Sequence, residues 1–378
     1  MNNEKKIDYR FKILYALGTI MIVSGHVSGG GISILNDWFP YTGLHLSMFV
    51  FCSGYFYKSS SEEYIGKYIV KKVRTLIIPL YIYTIIYGII VQISKIIGFE
   101  IGGDFTLNNL LIMPIKNGHQ FIYNMGGWFV VPLFMVEVYN ILLRKFFKIL
   151  KICMPEAVLF IINIVLGLIG NQLAYTGHLG NWWTVLVRML YFVPFYGLGI
   201  FYKSTLEKYD KRVPGGVYFT FIFISKLIIA CTYGKMPTYT PSWCRDFTEG
   251  PIMPIIVAYL GIAFWLRIAT IMEPVIGENR YINLIADNTY SIMMNQFLGF
   301  MIVKTIYGLF YKYTFLFADF DWVEYKTNIW WYYKPKGLSY TLILYVVAGI
   351  AFSIVVQKLW TLLKEKAVLR LNENFYMH

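Results

Sequence analysis

An all-α, polytopic membrane protein is what this sequence predicts, and three observations lead there. Of its 378 residues, 57% are hydrophobic and only 15% charged, and the mean hydropathy of +0.53 is far above that of a water-soluble chain of this size. The apolar residues gather into runs of about 20, the length that crosses a bilayer as a helix. Between the runs, basic residues alternate loop by loop.

Ten runs qualify: 11–28, 42–57, 76–97, 128–143, 156–175, 184–202, 215–233, 251–272, 282–310 and 339–363. No repeat, low-complexity tract or soluble segment interrupts them, so a single domain over 1–378 is expected. The N-terminal run lacks a small-residue cleavage site and is long enough to span, which argues for a membrane segment over a signal peptide.

The charges orient the chain. Lys5, Lys6, Arg10 and Lys12 precede the first run; Lys58, Lys67, Lys71, Lys72 and Arg74 follow the second. Arg144, Lys145, Lys148 and Lys151 follow the fourth, Lys203, Lys208, Lys211 and Arg212 the sixth, and Lys364, Lys366 and Arg370 the last. Loops 29–41 and 176–183 hold no Lys or Arg. Basic loops stay cytoplasmic, which places both termini inside and makes this a multi-pass protein of the cell membrane. Lys312, Lys326, Lys334 and Lys336 form a mild exception outside. The net charge of +13 is thereby a matter of topology and anionic headgroups. Membrane lipids are the expected partners, and nucleic acid is not. Cys52, Cys153, Cys231 and Cys244 show no paired spacing, so neither a disulfide nor a metal site is expected.

Polar groups inside the runs carry the functional signal, because each is costly in lipid and tends to face a cavity or a partner. In the first run, "GTIMIVSGHV" places His26 fifteen residues beyond Phe11, about 22 Å into the membrane at about 1.5 Å per residue. In the second, "LHLSMFVFCSGYFY" places His45 at a similar depth, with Ser53 and Gly54 as a small pair suited to close packing. The fourth brings Trp128, Pro132 and Glu137, the sixth Arg188, and the ninth Asn295 and Gln296. Comparable depths across several helices suggest a lined chamber. Each residue also has a plainer reading. His45 can serve as a helix–helix hydrogen bond, Arg188 can snorkel to headgroups, and Glu137 can pair with Arg188 or a histidine. Trp182, Trp183, Trp330 and Trp331 suit interfacial anchors.

The order of motifs decides for His26. "KILYALGTIMIVSGHV" followed by "GLHLSMFVFCSGYFYK" resembles the opening of the integral-membrane acyltransferase 3 family. The basic stretch before a proline, Lys71, Arg74 and Pro79 in "KKVRTLIIP", resembles that family's next feature. "GGWFVVPLF", "VRMLYFVPFYGLGIFY" and "DNTYSIMMNQ" resemble its later segments, in the same order. Two positions depart from the pattern. Tyr15 stands where the family usually has Arg or Lys, eleven residues before the histidine, and Asn295 stands where a histidine is common. Eleven residues at about 100° each return to nearly the same helix face. Lys12, one turn lower, is the candidate substitute for the missing charge.

The resemblance implies transfer of an acyl group, usually acetyl, from acyl-CoA to a hydroxyl of a cell-surface polysaccharide or lipid-linked sugar. On that reading His26 is catalytic, as general base or as an acyl-carrying nucleophile, with Glu137 or His45 orienting it. Lys71, Lys72 and Arg74, with Lys12 and Tyr15, bind the coenzyme A donor, acetyl-CoA being a substrate and not a resident cofactor. Ser53, Trp128, Arg188 and Asn295 are expected at the substrate. The alternative is a polytopic transporter or flippase of lipid-linked saccharides, in which buried His and Glu relay protons; no inverted repeat supports it. A glycan polymerase would need a larger outer loop rich in arginine. The oligomeric state is not legible.

Overall fold

The computed structural model describes residues 7–27, 38–39, 43–314 and 316–376, with side chains as far as Lys366. The expected outer loop 29–41, apart from Trp38 and Phe39, lies outside the described residues, as do Ser28, Thr42, Lys5 and Lys6; the Arg370 side chain is not described either.

Helices make up the bundle: α1 (Tyr9–His26), α2 (His45–Tyr55), α3 (Ile65–Ile96), α4 (Met125–Ile149), α5 (Glu156–Tyr175), α6 (Trp182–Asp210), α7 (Gly215–Tyr233) and α8 (Met253–Ile276). A short α9 (Arg280–Asp287) leads into α10 (Thr289–Thr314), and α11 (Ser339–Lys366) follows. Among the described residues the only β pairing is an isolated bridge between Thr240 and Arg245. Eight of these helices, α3 to α8 with α10 and α11, are long and apolar enough to cross a membrane. This is a multi-pass membrane protein.

The second of the expected spans turns out differently. α1 has 18 residues and α2 only 11, all buried except Ser53. At about 1.5 Å per residue, α2 covers roughly half of a hydrocarbon core. Its apolar composition reflects burial among other helices, which hydropathy cannot separate from burial in lipid. The ninth expected run also divides. Asn279 caps α9 by accepting from the backbone of Tyr281 and Ile282, and the membrane helix begins only at Thr289.

α2 is held by a close crossing with α6. A Cβ on Gly54 would stand 2.1 Å from the Tyr196 carbonyl oxygen, and one on Gly199 would stand 2.1 Å from that of Phe51. Backbone meets backbone there, as small residues allow between membrane helices. Of the expected small pair, Gly54 therefore serves packing, while Ser53 faces a cavity. We expect Gly54→Ala to cost more than the roughly 1–3 kcal/mol typical of overpacking, since backbone cannot yield as a side chain does. Folded yield and melting temperature in detergent measure it; a wild-type melting temperature would contradict the crossing.

Ion pairs lace one end of the bundle. Arg10 joins Glu207 at 3.0 Å, linking α1 to α6, and Arg267 joins Asp210 at 3.0 Å, linking α8 to α6. Arg144 grips Glu156 with two 2.6 Å bonds between α4 and α5. The ends of α2, α4 and α6 and the start of α3 lie here, so Lys58, Lys67 and Lys71 belong to the same basic end. His26 lies at the opposite, far end of α1.

Candidate active site

Two sites lie one above the other along α1. The lower one is a cavity of about 530 Å³ at the basic end. Exposed Lys58, Lys67 and Lys71 stand at its mouth, and Tyr15, Ser53 and Glu137 lie deeper. Lys72 donates to Glu137 Oε1 at 2.6 Å, a pair in which the carboxylate is buried and the ammonium half-exposed. Arg74 lines a shallower depression that shares Lys67, Lys71 and Thr75 with the cavity. The basic stretch sits where α3 changes pitch: residues Val73–Ile77 form a π turn, and Pro79 has no N–H to return to the carbonyl of Thr75. Lys12 pairs with Asp287 and lines a neighbouring cavity that shares Tyr15 and Phe56 with this one.

The upper site is built around His26, the last residue of α1. Its Nδ1 is 3.1 Å from Gln296 Oε1. The Gln296 amide nitrogen is used elsewhere, on the Met293 carbonyl at 3.3 Å, so the oxygen is the atom facing the imidazole. Nδ1 must therefore carry the proton and donate it, which leaves the lone pair on Nε2. Phe297 and Trp330 pack beside the ring at 5.1 and 6.0 Å. Tyr332 donates to the His26 carbonyl at 2.8 Å, and Lys304 holds the same loop through the Ile329 carbonyl at 2.7 Å.

A second far-end cluster comes from α6 and two loops. Arg188, 2% exposed, donates to the carbonyls of Asn117 at 3.0 Å and Ser242 at 3.1 Å. Its guanidinium lies over the Trp128 ring at 4.9 Å. Gly118 takes φ +78° and rests on the Trp128 backbone, where a Cβ would be 2.5 Å from Cα. His119 follows, stacked on Trp243 with ring centroids 4.3 Å apart.

Several expected placements change. Glu137 lies at the depth of Tyr15 and not of His26, because α4 runs back toward the basic end and nine residues separate Glu137 from Trp128. Its partner is Lys72 and not Arg188 or a histidine. Gln296, instead of Glu137 or His45, bonds the His26 ring; His45 is buried at the start of α2. Asn295 lies about 100° round the helix from Gln296. It faces a different side, toward α3, taking a bond from Tyr87 at 2.7 Å and giving one to Tyr83 at 3.2 Å. Arg188 does not snorkel, since its head is buried on loop carbonyls. Trp182 and Trp183 are exposed at the start of α6, and Trp330 is exposed too although one side of it packs on His26; Trp331 packs on Phe320.

Comparison with known families bears directly on this arrangement. The model of the acyltransferase 3 family, described as an acyltransferase domain, matches residues 8–357. The chain belongs to the acyltransferase 3 family. The match takes in both sites, from Asp8 ahead of α1 to Gln357 in α11. Neither a curated protein nor a solved structure matches the chain. Membership makes the protein a membrane acyltransferase and sets the transporter alternative aside.

What sequence reasoning missed has a common cause. Gln296 was visible as a polar residue in an apolar run, but its neighbour Asn295 occupied the motif position. His119 and Tyr332 sit in loops, where a polar residue raises no alarm. Only the fold brings Tyr332 onto the His26 carbonyl and His119 between Trp128 and Trp243.

Proposed function

We propose that this acyltransferase takes an acyl group, acetyl first, from acyl-CoA on the cytoplasmic side and passes it through His26 to a hydroxyl of a cell-surface polysaccharide or lipid-linked sugar outside. One observation carries the proposal. Tyr15, at the floor of the basic cavity, and His26 lie on one face of α1, eleven residues apart, about 16 Å at about 1.5 Å per residue.

That separation suits a donor whose charged head stays among lysines while a narrow arm reaches upward. Lys58, Lys67, Lys71 and Arg74 bind the phosphates, as ammonium and guanidinium groups do. The tips of Met48 and Phe49 lie against Gly18 between the two levels, so an ascending arm displaces side-chain ends and not backbone. The His26 Nε2 lone pair then attacks the thioester carbonyl carbon. The C–S bond breaks, and coenzyme A leaves as the thiolate. The acceptor oxygen next attacks the acyl carbon, the C–N bond returns its electron pair to Nε2, and the hydroxyl proton passes to water. Lys12 plays a lesser part here, since Asp287 already holds it.

Replacing Lys71 and Arg74 together by Gln should raise the Michaelis constant for acetyl-CoA about tenfold, most strongly at low ionic strength. Turnover at saturating donor should hold. A change confined to acceptor dependence would place the donor elsewhere. The acceptor is tested by mass spectrometry of surface glycans from cells with and without the gene: an acetyl increment is expected only with it, and identical spectra would refute the assignment.

A further inference from the structure

Resting on that reading, we infer that the loop at 117–124 is the acceptor subsite, and that His119 Nε2 receives the hydrogen bond of the sugar hydroxyl being acylated. Three observations converge on this atom. His119 is 7% exposed, and its Nε2 is buried without a hydrogen-bond partner among the described residues. A buried polar atom left bare costs free energy unless a ligand or water completes it. The rest of the ring is fixed: Nδ1 lies 2.6 Å from Asn117 Oδ1. A carboxamide oxygen can only accept, so Nδ1 carries the proton and Nε2 is the acceptor. Trp243 clamps the ring from its face, and Trp128 lies 6.4 Å away.

The position also fits. Arg188 anchors the loop through the Asn117 carbonyl, and just beyond the loop Gly126 rests on the Met293 carbonyl, where a Cβ would stand 2.5 Å from the oxygen, the same carbonyl that the His26 partner Gln296 bonds. Burial above all, with the positive charge of Arg188 next, pushes the His119 imidazole down to about 3. It is thus neutral at working pH, a good hydrogen-bond acceptor and a poor proton acceptor. Its task is to hold the hydroxyl in line with the acyl group on His26, not to remove the proton. Flanking aromatic rings suit the C–H faces of a sugar, while Trp243 remains exposed enough to meet one.

The magnitude separates the two roles. Losing one neutral hydrogen bond to a bound hydroxyl costs about 3–10-fold in affinity, whereas losing a general base costs about 10²–10⁴ in turnover. The test uses the full chain in lipid nanodiscs, radiolabelled acetyl-CoA as donor and a panel of methyl glycosides as acceptors. His119→Phe keeps the stack on Trp243 and removes the nitrogens. We expect its Michaelis constant for the best glycoside to rise about 3–10-fold, with turnover, the constant for acetyl-CoA and the slow loss of acetyl to water unchanged. His119→Gln, which restores an acceptor oxygen, should recover part of the affinity. An unchanged glycoside constant in His119→Phe would overturn the subsite while leaving the transfer reading intact. A collapse of turnover at an unchanged constant would overturn it too, in favour of a base. Wild-type chains that consume no acetyl-CoA with any glycoside would overturn the transfer reading, and the subsite with it.

Discussion

His26→Ala should lower acyl transfer below about 10⁻³ of wild type while leaving folding and membrane insertion intact. Removing a positioned base alone costs about 10²–10⁴; removing the atom that carries the acyl group closes the covalent route altogether. Folding should survive, because His26 ends α1 and is only partly buried. The bond from Tyr332 reaches the residue's carbonyl and not its ring, so alanine preserves it. One consequence distinguishes carrier from base. With acetyl-CoA but no acceptor, wild-type chains should release a burst of coenzyme A close to one per protein, and the alanine variant none. Full transfer by His26→Ala would end the mechanism. A variant lost from the membrane would assign the imidazole to structure.

How much of this was legible in the sequence follows from what each signal measures. Hydropathy reports apolar length, so it found the eight long helices with little error in their middles. It cannot tell burial in protein from burial in lipid, and so α2 read as a span although it is a short buried helix. It also ran α9 and α10 together across Asn288, since one polar residue does not end an apolar run. Along α1 the eleven-residue spacing keeps Tyr15 and His26 on one face, as an α-helix dictates. Glu137 does not share the level of His26, because α4 runs back toward the basic end and Glu137 comes nine residues after Trp128. Partners across the fold are the least legible quantity. The pairs His26–Gln296 and Arg188–Asn117 join residues 270 and 71 positions apart, and no local pattern announces either.

Gln296→Leu tests the upper site without touching the reacting atom. Leucine fills nearly the same volume in a position of zero exposure, so packing should hold. What goes is the only hydrogen bond on Nδ1 among the described residues. With no acceptor there, the imidazole is free to place its proton on Nε2, which leaves that atom unable to attack. In a serine-protease triad, where Asp→Asn leaves the geometry intact but favours the wrong tautomer, turnover falls about 10⁴-fold. Here the tautomer is released and not reversed, so a smaller loss of about 10²-fold is expected. The Michaelis constant for acetyl-CoA should not move, since the donor's charged head binds at the lower level. Gln296→Glu keeps an acceptor oxygen toward Nδ1 and should recover activity that leucine loses. If leucine turns over as wild type does, the Gln296 bond does not set the reactive tautomer. If leucine and glutamate fail alike, the residue acts by shape. Recovery by glutamate but not by leucine is the result that an acceptor oxygen on Nδ1 produces and a loss of shape does not.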